Sequence, residues 1–168
     1  MGNRKGRQRI IVLMLVTIAV LGLACVVVWR VRVMVSSPVE RVPLDFANLQ
    51  RTGKPNDYLT CPPGFCRAVA DESSPEFEIP VLELKKEWLR VVLRQARMSV
   101  VSESDDLQLE LEQRSWLLNF PDMITVRFYF LEEQRSTMAV YSRSQYGYSD
   151  LGVNRRRVEK IRELWKKQ

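Results

Sequence analysis

The hydropathy pattern changes period several times along the chain. Ile10 to Trp29 ("IIVLMLVTIAVLGLACVVVW") carries no charged residue over twenty positions, the length a helix needs to cross about 30 Å of hydrocarbon. The stretch 34–54, which ends in "SSPVERVPLDFANLQRTGK", mixes prolines, glycine and charges without a period and reads as a linker. From Val81 apolar residues recur at helical spacing (Val81, Leu84, Trp88, then Val91 or Val92), predicting an amphipathic helix of about four turns. Alternation at period two follows. "RMSVVSES", "LQLELEQRS", "MITVRFYFL" and "TMAVYSRS" predict consecutive strands joined by short connections. Leu107, Leu109 and Leu111 oppose Gln108, Glu110 and Glu112, so one face of the sheet is expected to be buried and the other wet. A last helix, "RRRVEKIRELWKK", presents Val158, Ile161 and Leu164 or Trp165 as a stripe, with Asn154 as its expected N-cap.

The resulting fold class is α+β: an N-terminal transmembrane helix, then a two-layer domain with a mainly antiparallel four-stranded sheet and two helices. The expected divisions are a basic cytoplasmic tail at 1–9, a membrane anchor at 10–33, a linker at 34–54 and a soluble domain at 55–168. Early in the soluble domain "KPNDYLTCPPGFC" reads as an extended or turning segment, and Phe77 and Ile79 in "SSPEFEIP" alternate as in a short edge strand.

Charge refines the picture. The chain has 26 basic and 20 acidic residues, yet six of the basic ones precede residue 36, where there is no acidic residue. The rest is neutral, so the excess belongs to the anchor and nucleic acid is excluded as the expected partner. Arg4, Lys5, Arg7 and Arg9 before the apolar run outnumber Arg30 and Arg32 after it, which predicts an N-terminus held inside. The expected location is a bacterial inner membrane, with residues 10–33 in the bilayer and the C-terminal domain in the periplasm. "LGLAC" superficially resembles a lipobox, but Gly22 and the apolar "VVVW" after Cys25 are atypical of lipidation. The soluble part is uneven, with 12 basic and 17 acidic residues from Ser36 to Ser142 and 8 and 3 from Arg143 onward.

Candidate chemistry is sparse. The absence of histidine removes Ser-His-Asp, Cys-His and histidine-metal chemistry, and no phosphate loop or dinucleotide fingerprint occurs. No metal and no cofactor are expected. Cys61 and Cys66 in "TCPPGFC" are placed to close a short disulfide loop in an oxidising compartment. Trp88 and Trp165 read as core, Trp29 as an interfacial anchor, and Trp116 as core or as part of an exposed "WLL" patch.

The densest chemistry is "YSRSQYGYSDLGVNRRRV", residues 141–158. Together with the upstream "FPDMITVRF" and "PNDYLTCPP" it resembles domain-of-unknown-function family 1499, whose members show R-S-x-S-R, then G-x-S-D-L-G-x-N and a basic helix. Ser142, Ser144, Gly147, Ser149, Asp150, Leu151, Gly152, Asn154 and Arg157 stand at matching places, over roughly residues 54–166. Tyr141 and Gln145 replace the usual arginines, which leaves an anion site here less charged. The resemblance implies a small, often exported or membrane-associated domain and no particular activity. Much of the stretch suits a capped join between strand and helix. Arg155, Arg156 and Arg157 do not, because cations are disfavoured at a helix N-terminus. They require either an acidic partner within the domain, such as Asp122 or Asp150, or an external anion.

Ser142, Arg143, Ser144, Tyr146, Ser149, Asp150, Asn154, Arg155, Arg156 and Arg157 are therefore the candidate ligand-binding residues. The expected role is a membrane-anchored binding or accessory module recognising an anionic group or a neighbouring envelope protein. Two alternatives stand beside it: an envelope enzyme with a Ser/Asp/Arg site, and an assembly subunit of a membrane complex.

Overall fold

A computed structural model describes residues 3–35, 43–105 and 107–166. They divide into two compact units. One is built on helix α1 (Asn3–Val35), in which Gly6–Val33 is long and apolar enough to cross a membrane or to serve as a signal sequence. These 28 residues extend about 42 Å. Their side chains are not buried in the protein.

The other unit carries the remaining elements: β1 (Asp57–Cys61), β2 (Glu72–Ser73), α2 (Val81–Val92), β3 (Met98–Asp105), β4 (Gln108–Arg114), β5 (Pro121–Glu132), β6 (Arg135–Ser144) and α3 (Val153–Lys166). The α+β class and the four strands of the meander agree with the hydropathy pattern. The sheet itself differs from expectation. It has six strands in the order β2-β1-β6-β5-β4-β3, and β1 pairs parallel with β2, so it is mixed. Strand β1 adds to the meander antiparallel to β6, with Asp57 opposite Arg143 and Thr60 opposite Val140. Its five residues sit between Pro55 and the Pro62–Pro63 pair, which hides a strand in an apparently turning segment. Phe77 makes an isolated bridge to Ser136, exchanging both backbone hydrogen bonds.

Alternation sorts the side chains onto two faces. Leu109, Leu111, Ile124, Val126, Phe128 and Val140 join Leu84, Trp88, Val91 and Val92 of α2 and Val158 and Ile161 of α3 in the main core. Trp88 meets Phe128 edge to face at 5.9 Å. The side chains of Leu164 and Trp165 lie outside the described set. The opposite face is not wet, as alternation alone suggests. Gln108, Glu110, Glu112 and Thr125 are all buried there, and a second apolar cluster forms on Phe46, Leu49, Leu59, Cys61, Ala139 and Tyr141. Phe46 and Leu49 come from the stretch expected to be linker. A 3-10 turn at Phe46–Asn48, capped by the Asp45 carboxylate accepting from the Ala47 N–H at 2.9 Å, presents Phe46 to the sheet. Cys61 and Cys66 are joined by a disulfide. Trp116 is exposed, so the bulk of its indole is not needed by the core.

Candidate functional site

Strand β6 ends at Ser144 and α3 starts at Val153, so the eight residues between them make the join that the sequence singled out. Gly147 (φ 92°), Leu151 (φ 54°) and Gly152 (φ 75°) all lie in the left-handed region. The two glycines reach it at little steric cost. A leucine there is disfavoured by about 1–2 kcal/mol, and this one is 84% exposed.

Asp150 holds the turn. Its Oδ1 accepts the Gly152 N–H at 2.8 Å and its Oδ2 accepts the Asn154 N–H at 2.7 Å. Burial pushes this carboxyl up, but the hydrogen bonds from Asn154 and Gly152 outweigh it and keep the pKa below the usual aspartate value. Asp150, with its charge at a helix start, thus performs the capping expected of Asn154. Asn154 lies one residue inside α3 and its side chain points into the protein.

There Asn154 is fully buried. Its Nδ2 donates to the Asn56 carbonyl at 2.9 Å, to Ser144 Oγ at 3.1 Å and to Asp150 Oδ2 at 2.7 Å. Its Oδ1 accepts from Ser142 Oγ at 2.7 Å and from Arg157 Nη1. Arg157 also donates to Ser142 Oγ at 2.8 Å, to Gln113 Oε1 and to Asp122 Oδ2. The segment before β1 is tied in twice more: Asn56 Nδ2 donates to the Gly147 carbonyl at 3.0 Å, and the Ser144 N–H to the Asn56 carbonyl at 2.9 Å. The geometry is that of a closed polar lock, with Arg157 supplying the positive charge and Asp122 and Asp150 the negative ones.

Five of the ten candidate residues (Ser142, Ser144, Asp150, Asn154, Arg157) therefore meet in one internal network. Tyr146, Ser149, Arg155 and Arg156 lie on the outer side of the join, all exposed. Tyr146 stacks on Phe120 at 5.6 Å, and Ser149 Oγ accepts the Leu151 N–H. Arg155 pairs with Glu159 at 2.8 Å one turn on, and Arg156 donates to the Leu151 carbonyl at 2.8 Å. The three arginines thus have different environments, and only Arg157 is buried.

Arg143 is on the other face of the sheet. It donates to Thr125 Oγ1 at 2.9 Å, lies 3.9 Å from the Glu110 carboxylate and covers the Tyr141 ring at 5.1 Å. Thr125 Oγ1 in turn donates to Glu110 at 2.7 Å. Burial depresses the Arg143 pKa, and the Glu110 charge opposes that shift. Next to it Tyr141 donates to Asp57 Oδ2 at 2.6 Å. Burial first, then the Asp57 carboxylate, raise the phenol well above its ordinary pKa. Arg51 bridges Asp57 and Asp71, and the bond to Asp57 raises its pKa.

A model of the family described as "Protein of unknown function (DUF1499)" matches residues 56–164. The chain belongs to that family. No curated protein matches it. The DUF1499 match begins at Asn56, a member of the lock, and includes Asn154 and Arg157, which close it from the other end of the domain. Helix α1 lies outside the match. Of the lock residues outside the candidate set, Asp122 is an acidic partner expected for the arginines, whereas Asn56 and Gln113 are signalled only by polar character beside strand ends. Among the described residues no group of three or more His, Cys, Asp or Glu is arranged to hold a metal.

Proposed function

We propose that the protein is a membrane-tethered binding module without catalytic activity. In this reading α1 anchors it in a bacterial inner membrane with the N-terminus inside, and the DUF1499 domain works in the periplasm. The outer side of the 145–156 join meets an anionic group borne by a lipid headgroup or a neighbouring envelope protein. The four cations before the apolar run support the orientation. The Cys61–Cys66 disulfide supports an oxidising compartment.

One observation carries the binding surface. Leu151 is a leucine in left-handed backbone with almost its whole side chain in solvent. The exposed side chain adds nothing to the core, and strained backbone of this kind concentrates at functional positions. Around it Tyr148 is 71% exposed, and Arg155 and Arg156 are also exposed. Aromatic and arginine side chains on a loop fixed from beneath suit recognition. Ser142 and Ser144, which would serve an enzyme, have hydroxyls bound to Asn154, and Ser142 is also bonded to Arg157.

The test uses the full chain in lipid nanodiscs with the Arg155→Gln/Arg156→Gln double variant beside it. In the headgroup arm, vesicles of phosphatidylglycerol and of phosphatidylcholine are compared at low and high salt. In the protein arm, a photo-crosslinker replaces Tyr148 in cells. Salt-sensitive capture in either arm, lost in the double variant at unchanged melting temperature, supports the proposal and names the source. Equal behaviour of wild type and double variant in both arms refutes it.

A further inference from the structure

A cavity of about 360 Å³ lies between α2, α3 and the β1–β6 side of the sheet, separate from the 145–156 join. Phe77, Trp88, Met138, Val140, Val158 and Ile161 form its walls, and Glu72 and Arg162 stand on its rim. We propose that this cavity binds a single acyl chain whose anionic head is held by Arg162.

Size is the first argument. Cavities of about 300–1,000 Å³ with mostly apolar walls and few polar groups are the usual form of small-ligand sites. Thr60, Ser73 and Ser74 line one side, but most of the wall is apolar, and leaving that part empty forfeits the packing that protein interiors otherwise maintain. At roughly 30 Å³ for a group the size of water, it takes a chain of about ten to twelve carbons.

The rim supplies the polarity of the head. Glu72 Oε1 accepts from Arg162 Nη1, and Glu72 Oε2 accepts from the Tyr58 hydroxyl at 3.1 Å. Both carboxylate oxygens are engaged. Arg162 uses only Nη1 among the described residues, and a guanidinium has five N–H donors. Glu72 balances the charge of Arg162, so what the rim offers a head is the spare N–H donors of the guanidinium rather than net positive charge. A head rich in acceptors fits that arrangement, and a carboxylate fits best because it can take two N–H groups from one guanidinium. Arg162 and Glu72 are each more than a third exposed, so the head stays at the solvent boundary while the chain is buried.

The experiment titrates the full chain, in nanodiscs free of detergent, with dodecanoate brominated at its far end. Trp88 is in the wall, and bromine quenches indole fluorescence on contact. The chain has four tryptophans, and bromine in the bilayer also reaches Trp29, so the expected result is a saturable component of quenching present in wild type and absent in Trp88→Phe. Affinity should rise about three- to fourfold per methylene from octanoate to dodecanoate and then level off. Val140→Phe fills the cavity from the sheet side and should weaken binding more than tenfold without lowering the melting temperature. Arg162→Gln should weaken dodecanoate about tenfold and leave dodecanol unchanged. Lysophosphatidylglycerol of the same chain length is the competing source: displacement of the brominated probe at lower concentration than dodecanoate assigns the head to a phosphate, still on Arg162. A saturable component as large in Trp88→Phe as in wild type, or equal in wild type and Val140→Phe discs, overturns the proposal. So does dodecanoate affinity unchanged by Arg162→Gln.

Discussion

Replacing Arg157 by methionine should separate the structural arginine from its two neighbours. Methionine keeps most of the aliphatic stem and removes the guanidinium, whose side chain is only 7% exposed. The loss leaves Asp122 without its cation and strips a donor from Ser142, Asn154 and Gln113. Removing one partner of a buried, hydrogen-bonded pair costs about 3–5 kcal/mol. Asp122 is 16% exposed and regains some water, which favours the lower end, about 3 kcal/mol. For a domain near 110 residues this corresponds to a fall of roughly 12 °C in melting temperature. Arg155→Gln, in an exposed i,i+4 pair with Glu159, should change stability by less than about 0.5 kcal/mol. Thermal unfolding of the full chain in nanodiscs, followed by near-ultraviolet circular dichroism, measures both. Adding Asp122→Asn to Arg157→Met should cost far less than the sum of the single losses, since the two share one interaction. Equal, small effects of the Arg155 and Arg157 substitutions would refute the lock as a source of stability.

Asp150, with its pKa held below the ordinary value when folded, stabilises the domain above about pH 4 and loses that contribution as pH falls through the folded pKa. Asp150→Asn should therefore flatten the acid limb of a plot of denaturation midpoint against pH, while wild type declines. Reducing Cys61–Cys66, which closes a ring of sequence separation 5, should lower stability by about 2 kcal/mol, read from denaturation midpoints with and without reductant. Leu151→Asn should leave stability unchanged or raise it by up to about 1 kcal/mol, because asparagine enters left-handed backbone more readily and no buried contact is lost. The same variant should weaken capture through the 145–156 join.

The fold was legible where period carried it. Strict alternation at 107–112 marks β4, and helical spacing at 81–92 marks α2 with the core face it buries. Strand β1 was not, because its five residues are framed by prolines and its partner β6 lies more than eighty positions away. Alternation also misassigned one face. Glu110 looks solvent-bound from its neighbours, yet it is buried beside Thr125 and Arg143, two strands of partners that no local pattern announces. The lock shows the same limit. Asp122 was named as one of several acidic partners for the arginines, but nothing local says that Arg157 takes it and Arg155 does not. Position along α3 decides: residue 157 is on the helix face turned to Ser142, and 155 is on the face turned away.

The strand order has a consequence for how the molecule comes into being. Tyr58 is paired with Ser142 and Leu59 with Tyr141, so the first strand of the sheet has no neighbour on its β6 side until the last strand has been made. During synthesis β1 must wait as an unpaired edge while the whole meander emerges after it. Such distant pairings make folding slow, because the loop entropy is lost before the contact is gained. The hydrogen bond from Asn154 Nδ2 to the Asn56 carbonyl likewise stitches the two ends of the domain together. The disulfide between Cys61 and Cys66 is the opposite kind of contact: it joins residues five apart, so its closure does not depend on the strands made later.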